Sequence, residues 1–397
     1  MAKSLYIFSD GVYPFSAGGS HRYIYEVASL IDCDVTVVVP RLGNEVEIAT
    51  PEEHVRDFRK NENFSIVRFQ YNAKNKFKKV FSYIYNFNKR INICSKKEKN
   101  NINIQYLPAL LSIVFSKSFE VTYFFHGPWS MEFFWSLFGR IKRKKIFLRP
   151  FYFVSIYVLF PFLFFLEFIS LRRAKKIFVA SNYMRNILIR YFKLSSNRIS
   201  VVGAGVNTRT FSNRCRRVSE IPKLVTLRRL EHRMGLELLL DACYLLKKRG
   251  IEFELEIGGK GPLFDVLNSK IAKLGLARVV QLVGFVPDED VPRFLSNADL
   301  FVLPSIALEG FGLVILESFA CGTPVIAFER GGPQEVLEAV SEEFCVKEVS
   351  AQSLAEGIYR LIVDKKFLGE FNYRQIAMSG YRWENVSNQI KVGIFDG

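Results

Sequence analysis

Short apolar runs alternate with helix-length amphipathic stretches along most of this chain. In the first half the runs are Leu5 to Ser9, Val35 to Val39, Val121 to Phe125 and Ile177 to Ala180. In the second half they are Leu224 to Leu227, Phe253 to Ile257, Val279 to Val283, Leu300 to Leu303 and Val325 to Phe328, with Leu236 to Arg249 typical of the helical stretches between. Runs this apolar suit strands covered on both faces, and parallel strands need a helical crossover to return. The pattern predicts an α/β fold built from two doubly wound parallel sheets. At 397 residues the chain also exceeds what one core usually supports. The periodicity breaks over Asn207 to Pro222, a polar stretch ending in proline. We therefore divide the chain into a first domain, 1–206, and a second, 207–372, followed by a terminal segment, 373–397.

Charge separates the two halves. Residues 1–200 hold 31 Lys and Arg against 14 Asp and Glu, a net +17, whereas residues 201–397 hold 24 against 25, a net −1. One domain is thus suited to a polyanion: an anionic membrane, a phosphorylated acceptor or nucleic acid. With 49% hydrophobic and 24% charged residues the chain is folded rather than disordered, and its 38 Phe are unusually many. Its six Cys lie apart with no zinc-ligand spacing, which predicts reduced thiols and a cytoplasmic protein. The first residues run straight into a strand without a secretory leader.

Two segments raise the question of a membrane. Lys74 to Asn101, rich in Lys and Asn with interspersed aromatics, reads either as a solvated loop or as an amphipathic, membrane-facing helix. Residues 151–166, FYFVSIYVLFPFLFFL, carry no charge and lie between KRKK at 142–145 and RRAKK at 172–176. Sixteen helical residues reach about 24 Å, short of a hydrocarbon core of roughly 30 Å, and Pro161 interrupts the run. A spanning helix, an in-plane membrane helix and an ordinary buried helix are the three readings.

The chemistry concentrates after Pro304, where PSIALEGFGLVILESFACGTPVIA reads as a strand end, a Gly-containing turn, a helix and the next strand. Glu309 then lies at the carboxyl end of a strand, where doubly wound sheets bind ligands, and Glu317 follows on the helix. Carboxylates so spaced accept hydrogen bonds from different hydroxyls of one ligand. Gly310 and Gly312 allow close backbone approach, and the N–H groups of Phe311, Gly312 and Leu313 at a helix start favour phosphate. A phosphate with sugar hydroxyls beside it describes a nucleotide-sugar. No metal is expected: Asp32-Cys33-Asp34 precedes its strand, and the acidic run 288–290 reads as helix capping.

That segment resembles the E-x7-E signature of the retaining, group 1 (family 4) glycosyltransferases. The likeness extends over Ile257 to Leu337, taking in GGKGP, LVGFVPDEDVPRFLSNADLFVLPS and GGPQEVL, and continues more sparsely elsewhere, with no family motif over residues 42–118. The resemblance implies the GT-B fold, two Rossmann-like domains facing an interdomain cleft. It implies that Glu317 binds ribose hydroxyls and that Glu309 contacts the transferred sugar. LRRLEHRMG at 227–235 is similar to the family's GRLxxxKG, so Arg229 inherits the arginine that neutralises the donor diphosphate. Met234 stands where the family has Lys; a thioether supplies no charge, and Arg233 is the candidate replacement. Gly18 and Gly19 resemble the family's first glycine loop, with a plain tight turn as the alternative. His126 matches a family histidine near the donor sugar, and a packed core histidine is its alternative. His21 reads as a helix-start residue. Trp129 suits acceptor stacking or the core equally.

The base is expected against backbone near Gly284 to Val286, with Phe285 and Val286 in the donor site. YRWENVSNQI at 381–390 resembles the GT-B helix that returns to the first domain, anchored by Trp383. The catalytic set implied is His126, Glu309 and Arg229, with no cofactor. In the family the departing phosphate oxygen takes the acceptor proton, so catalysis is mostly electrostatic. The expected function is sugar transfer from a nucleotide-sugar to a lipid-linked or cell-surface glycan, in polysaccharide, lipopolysaccharide or glycolipid synthesis. An anionic membrane surface is the expected partner, with the protein peripheral on the inner face of the cell membrane, and nucleic acid is not. The alternatives are a soluble small-molecule transferase or epimerase of the same fold, and a non-catalytic membrane or nucleic-acid binder.

Overall fold

The computed structural model describes residues 4–9, 12–13, 18–40, 64–69, 102–104, 121–141, 155–212, 220–363 and 371–395. Lys74 to Asn101, the KRKK cluster and residues 213–219 of the interdomain stretch lie outside them. Two sheets organise the chain. The first contains β1 (Ser4–Phe8), β2 (Asp34–Pro40), β3 (Phe64–Phe69), β4 (Ile102–Ile104), β5 (Val121–Phe125), β6 (Lys176–Val179) and β7 (Ile199–Val201), in the order 3-2-1-4-5-6-7. The second contains β8 (Lys223–Leu227), β9 (Glu254–Gly258), β10 (Val280–Gly284), β11 (Leu300–Leu303), β12 (Val325–Phe328) and β13 (Cys345–Val346), in the order 10-9-8-11-12-13. Every pairing in both is parallel. Strands read from apolar runs recur with ends shifted by a residue or so. The strands that escaped the pattern are β3, broken by Ser65 and Arg68, and β4, β7 and β13, each of three residues or fewer.

Helices connect the strands. In the first half they are α1 (Gly19–Leu30), α2 (Trp129–Ile141), α3 (Phe160–Arg173) and α4 (Asn182–Phe192). Next come α5 (Leu236–Lys248), α6 (Phe264–Lys273), α7 (Val291–Ser296), α8 (Leu313–Ala320), α9 (Gly332–Glu338), α10 (Ala351–Val363), α11 (Tyr373–Gly380) and α12 (Trp383–Phe395). Much of the phenylalanine excess is structural. Phe8, Phe125, Phe178, Phe192, Phe253, Phe301, Phe319, Phe328 and Phe344 are almost wholly buried, five of them on strands and Phe192 and Phe319 on helices.

Residues 151–154 of the apolar run lie outside the described ones; from Ser155 it forms a π-helical turn, Ser155–Leu159, continuing into α3. No helix among the described residues is long and apolar enough to cross a membrane, which overturns the spanning reading for them. Neither is α3 simply buried. Leu163, Glu167, Ser170 and Leu171 face inward, while Phe162 and Phe165 face solvent.

The final helix crosses back to α1. Ser387 Oγ donates to the Val27 carbonyl at 3.3 Å, Lys391 pairs with Asp32 at 3.2 Å, and the Trp383 ring meets Tyr23 edge-on at 5.0 Å. Asp32 of the Asp-Cys-Asp triplet is thereby a partner of this helix.

Candidate active site

Strand order reverses between β1 and β4 in one sheet and between β8 and β11 in the other. Connections diverge at such points and leave a crevice beyond the carboxyl ends of the strands. The two crevices face each other across a cleft of about 880 Å³. From the first sheet the wall includes Gly18, Gly19, His126, Trp129 and Glu132; from the second, Arg228, Arg229, Arg233, Phe285, Val286, Glu309, Gly310, Phe311, Gly312, Leu313 and Glu317. Every candidate residue named from the sequence thus lines one cavity, although they come from segments three hundred residues apart.

Glu309 follows β11 and is tied down on one side. Arg228 Nη2 donates to its carboxylate, as does Ser305 Oγ at 3.1 Å, and the same Nη2 lies 2.9 Å from Ser305 Oγ and from the Met234 sulfur. Burial pushes the Glu309 carboxyl up, but the guanidinia of Arg228 and Arg233 outweigh it and hold the group below the usual carboxylate range. Arg233 occupies a ring of acids: Glu132 and Glu231 each stand 3.7 Å from its guanidinium, and its Nη1 donates to the Leu308 carbonyl at 3.4 Å. Burial raises Glu132 despite Arg233 and Arg229 nearby. Arg229, in contrast, is exposed to the cleft.

Glu317, on α8, is bound across the cleft. Arg22 of α1 donates from Nη1 to Glu317 Oε1 at 2.7 Å and pairs through Nη2 with Asp288 at 3.2 Å. Tyr13 and Phe211 flank the guanidinium, their centroids 5.1 and 5.4 Å from its carbon. Burial works against that charge, yet the two carboxylates hold Arg22 above its ordinary value. This corrects the capping expectation for the acidic run 288–290: Asp290 makes no side-chain cap to α7, and Asp288 reaches to the other domain instead. The turn there is closed by backbone bonds from Asp290 and Val291 to the Pro287 carbonyl, so no side chain is needed.

The start of α8 opens on the cleft. Gly312 takes a left-handed φ of 81° as its N-cap, and the first N–H groups of the helix have no intrahelical acceptor. Gly310, which lines the cleft, also makes a close contact that the sequence did not foretell. A Cβ there would stand 2.6 Å from the His126 carbonyl, so the glycine lets the two domains touch. His126 itself follows β5 directly, its ring edge-on to Tyr23 at 5.0 Å. Trp129 both lines the cleft and stacks on Phe133 at 5.8 Å, and His21 lies in the first turn of α1 beside Gly18.

Residues 17–210 match the family described as Glycosyltransferase Family 4, and residues 208–377 the one described as Glycosyl transferases group 1. The two matches meet at residues 208–210 and together take in every strand but β1. The chain belongs to the group 1, family 4 glycosyltransferases. It is 34% identical over 172 residues to the amylovoran biosynthesis glycosyltransferase AmsK of Erwinia amylovora, covering 42% of each protein. It is 29% identical over 170 residues to a GDP-mannose-dependent alpha-(1-6)-phosphatidylinositol monomannoside mannosyltransferase of Mycolicibacterium smegmatis, covering 41% of this chain and 44% of the relative. The chain thus spans less than half the length of these curated relatives. Anabaena HepE in complex with UDP and glucose superposes with a TM-score of 0.70 at 16% identity over the whole of both chains, a likeness of fold, here GT-B.

Arg228 is one of the site residues that sequence reasoning missed. The available signal was its position: it replaces the glycine of GRLxxxKG in the same motif that has lost its Lys to Met234. Arg22 and Glu132 were missed because each acquires a partner only when the two domains meet.

Proposed function

We propose that this glycosyltransferase moves a sugar from a nucleotide-sugar to a membrane-borne glycan or lipid-linked acceptor with retention of configuration and without a metal. The observation that carries the reading is the facing of Glu309, Glu317, Arg229 and the α8 N-terminus into one cleft. In this assignment residues 207–372 hold the donor. Glu317 grips the ribose in exchange for Arg22, and the base lies against Phe285 and Val286. The diphosphate meets the α8 N–H groups and Arg229, beside the Gly18-Gly19 loop. Glu309, held ionised by Arg228, contacts the transferred sugar, and His126 stands across from it. Negative charge develops on the diphosphate as the bond to the sugar breaks, and fixed cations and helix N–H groups stabilise it without rearranging. The departing oxygen then takes the acceptor proton, so no separate base is required. Residues 1–206 present the acceptor at the inner face of the membrane, and 373–397 brace them. AmsK serves amylovoran biosynthesis and the mycobacterial relative acts on a phosphatidylinositol mannoside, which supports a polysaccharide or glycolipid acceptor.

A panel of UDP-, GDP- and ADP-sugars, incubated with the protein and excess chelator, tests this. Release of nucleoside diphosphate and free sugar from one donor is expected, with loss in Glu317→Ala and Arg229→Ala. Failure to turn over any donor, or epimerisation with the nucleotide still attached, overturns the proposal.

A further inference from the structure

The face that α3 and the π-helical turn before it present to solvent is unusual for a folded protein. Tyr157 is 72% exposed, Val158 66%, and Phe162 and Phe165 56% each. Val158, Phe162 and Phe165 follow helical spacing, and Arg172 continues the same line one turn pair later. The inward face reaches the core through Leu163, Ser170 and Leu171, whereas Phe162 and Phe165 belong to neither core cluster. Single exposed apolar residues need no explanation, but several on one short helical face mark a contact surface. Arg172 and Arg173 close the stripe in the last turn, with the Arg172 guanidinium 4.7 Å from the Phe168 ring.

We infer that the outward face of residues 157–173 is a docking surface for an anionic lipid bilayer, in which Tyr157, Val158, Phe162 and Phe165 enter the acyl boundary while Arg172 and Arg173 meet headgroup phosphates. Charge decides the occupant. The half of the chain that carries this face has a net charge of +17, so an identical copy is repelled and an anionic surface attracted. A helix too short to cross can still lie in the interface plane, apolar side down, with arginines at the headgroup level.

The same helix is coupled to the cleft. Buried Glu167, on its inward face, accepts from the backbone N–H groups of Trp129 and Ser130 at 2.9 and 3.0 Å, and Trp129 and Glu132 of that turn line the cleft. Docking α3 therefore fixes the acceptor wall relative to the bilayer. This inference deepens, and for its purpose rests on, the reading of the acceptor as membrane-borne.

The test uses the full chain with vesicles of phosphatidylcholine alone or mixed with phosphatidylglycerol. Wild type is expected to pellet with the mixed vesicles at low salt and less at high salt. Phe162→Ser with Phe165→Ser should weaken that partitioning at least about tenfold, and Arg172→Glu with Arg173→Glu should weaken it on mixed vesicles. Unaltered pelleting in the aromatic double variant overturns the inference. So does light scattering that finds a wild-type dimer converted to monomer by that variant, since the face would then join two copies. Donor hydrolysis is measured in parallel and should be equal in wild type and the aromatic variant, none of whose changed residues lines the cleft. Absent hydrolysis with intact vesicle binding would sink the transferase reading and leave this surface supported.

Discussion

Arg228 carries the largest share of the electrostatics around Glu309. A carboxylate sunk among apolar groups prefers its neutral form; a guanidinium in contact reverses that preference. The direction of the Glu309 shift follows from that contact, with Ser305 and the more distant Arg233 adding to it. Replacing Arg228 by Met leaves burial in command, so the Glu309 carboxyl rises. If the ionised form contacts the sugar, turnover is lost as pH falls through the Glu309 value, and that loss moves to higher pH in the variant. Arg228→Met should therefore reduce donor hydrolysis roughly a hundredfold and displace the acid limb of the kcat/KM profile upward. Arg229→Met should lower the rate without that displacement. An acid limb that stays in place in Arg228→Met would remove Arg228 from control of Glu309.

At the scale of elements, α2 and α3 are joined through one buried acid. Glu167 accepts from Trp129 N, Ser130 N and Ser130 Oγ, so it caps the first turn of α2 from another helix. Burial pushes its carboxyl up to about 7, against those hydrogen bonds. The sign follows from linkage. With the folded value above the unfolded one, the native state holds the extra proton between them, so stability is greatest below about pH 4.5 and falls as pH rises through about 7. Over that window the loss is roughly 3 kcal/mol. Glu167→Gln removes the titration. Its melting temperature should fall less than that of wild type between pH 5 and 8, with roughly those limits set by the same linkage. Parallel curves for the two proteins would mean that Glu167 is not the titrating group.

On the scale of the whole molecule, polar contacts around the cleft join the domains alongside an apolar cluster that runs through both sheets. Glu335 of α9 accepts from Asn182 N at 2.9 Å, Asn182 Nδ2 at 3.2 Å and Tyr183 N at 2.6 Å, capping α4 of the opposite domain. Ser181 Oγ donates to the Gly310 carbonyl at 2.6 Å, and Arg22 bridges to Glu317 and Asp288. A cap is worth about 1 kcal/mol, so Glu335→Ala should raise the population of an open cleft about fivefold. Fluorescence transfer between labels on the two domains would measure it. An unchanged distribution would show that Glu335 does not hold the domains together.

Alternating apolar runs determined nine of the thirteen strands, because a strand covered on two faces must be apolar wherever it lies, whereas β3, β4, β7 and β13 are too polar or too short to show it. The turn after Pro304 was equally legible, since a glycine-rich strand-to-helix junction is a local feature. The exposed face of α3 was not: Phe162 and Leu163 are adjacent apolar residues, and only packing decides which one meets water. Nor was the partner of Glu317 readable, because Arg22 lies 295 residues away and comes within hydrogen-bond reach only when the domains close on each other. The sequence by itself thus specified most of the elements and the place of the motif residues at their ends. Tertiary structure alone decided which charges are paired, because Coulomb energy depends on separation and burial, and neither is a property of position along the chain.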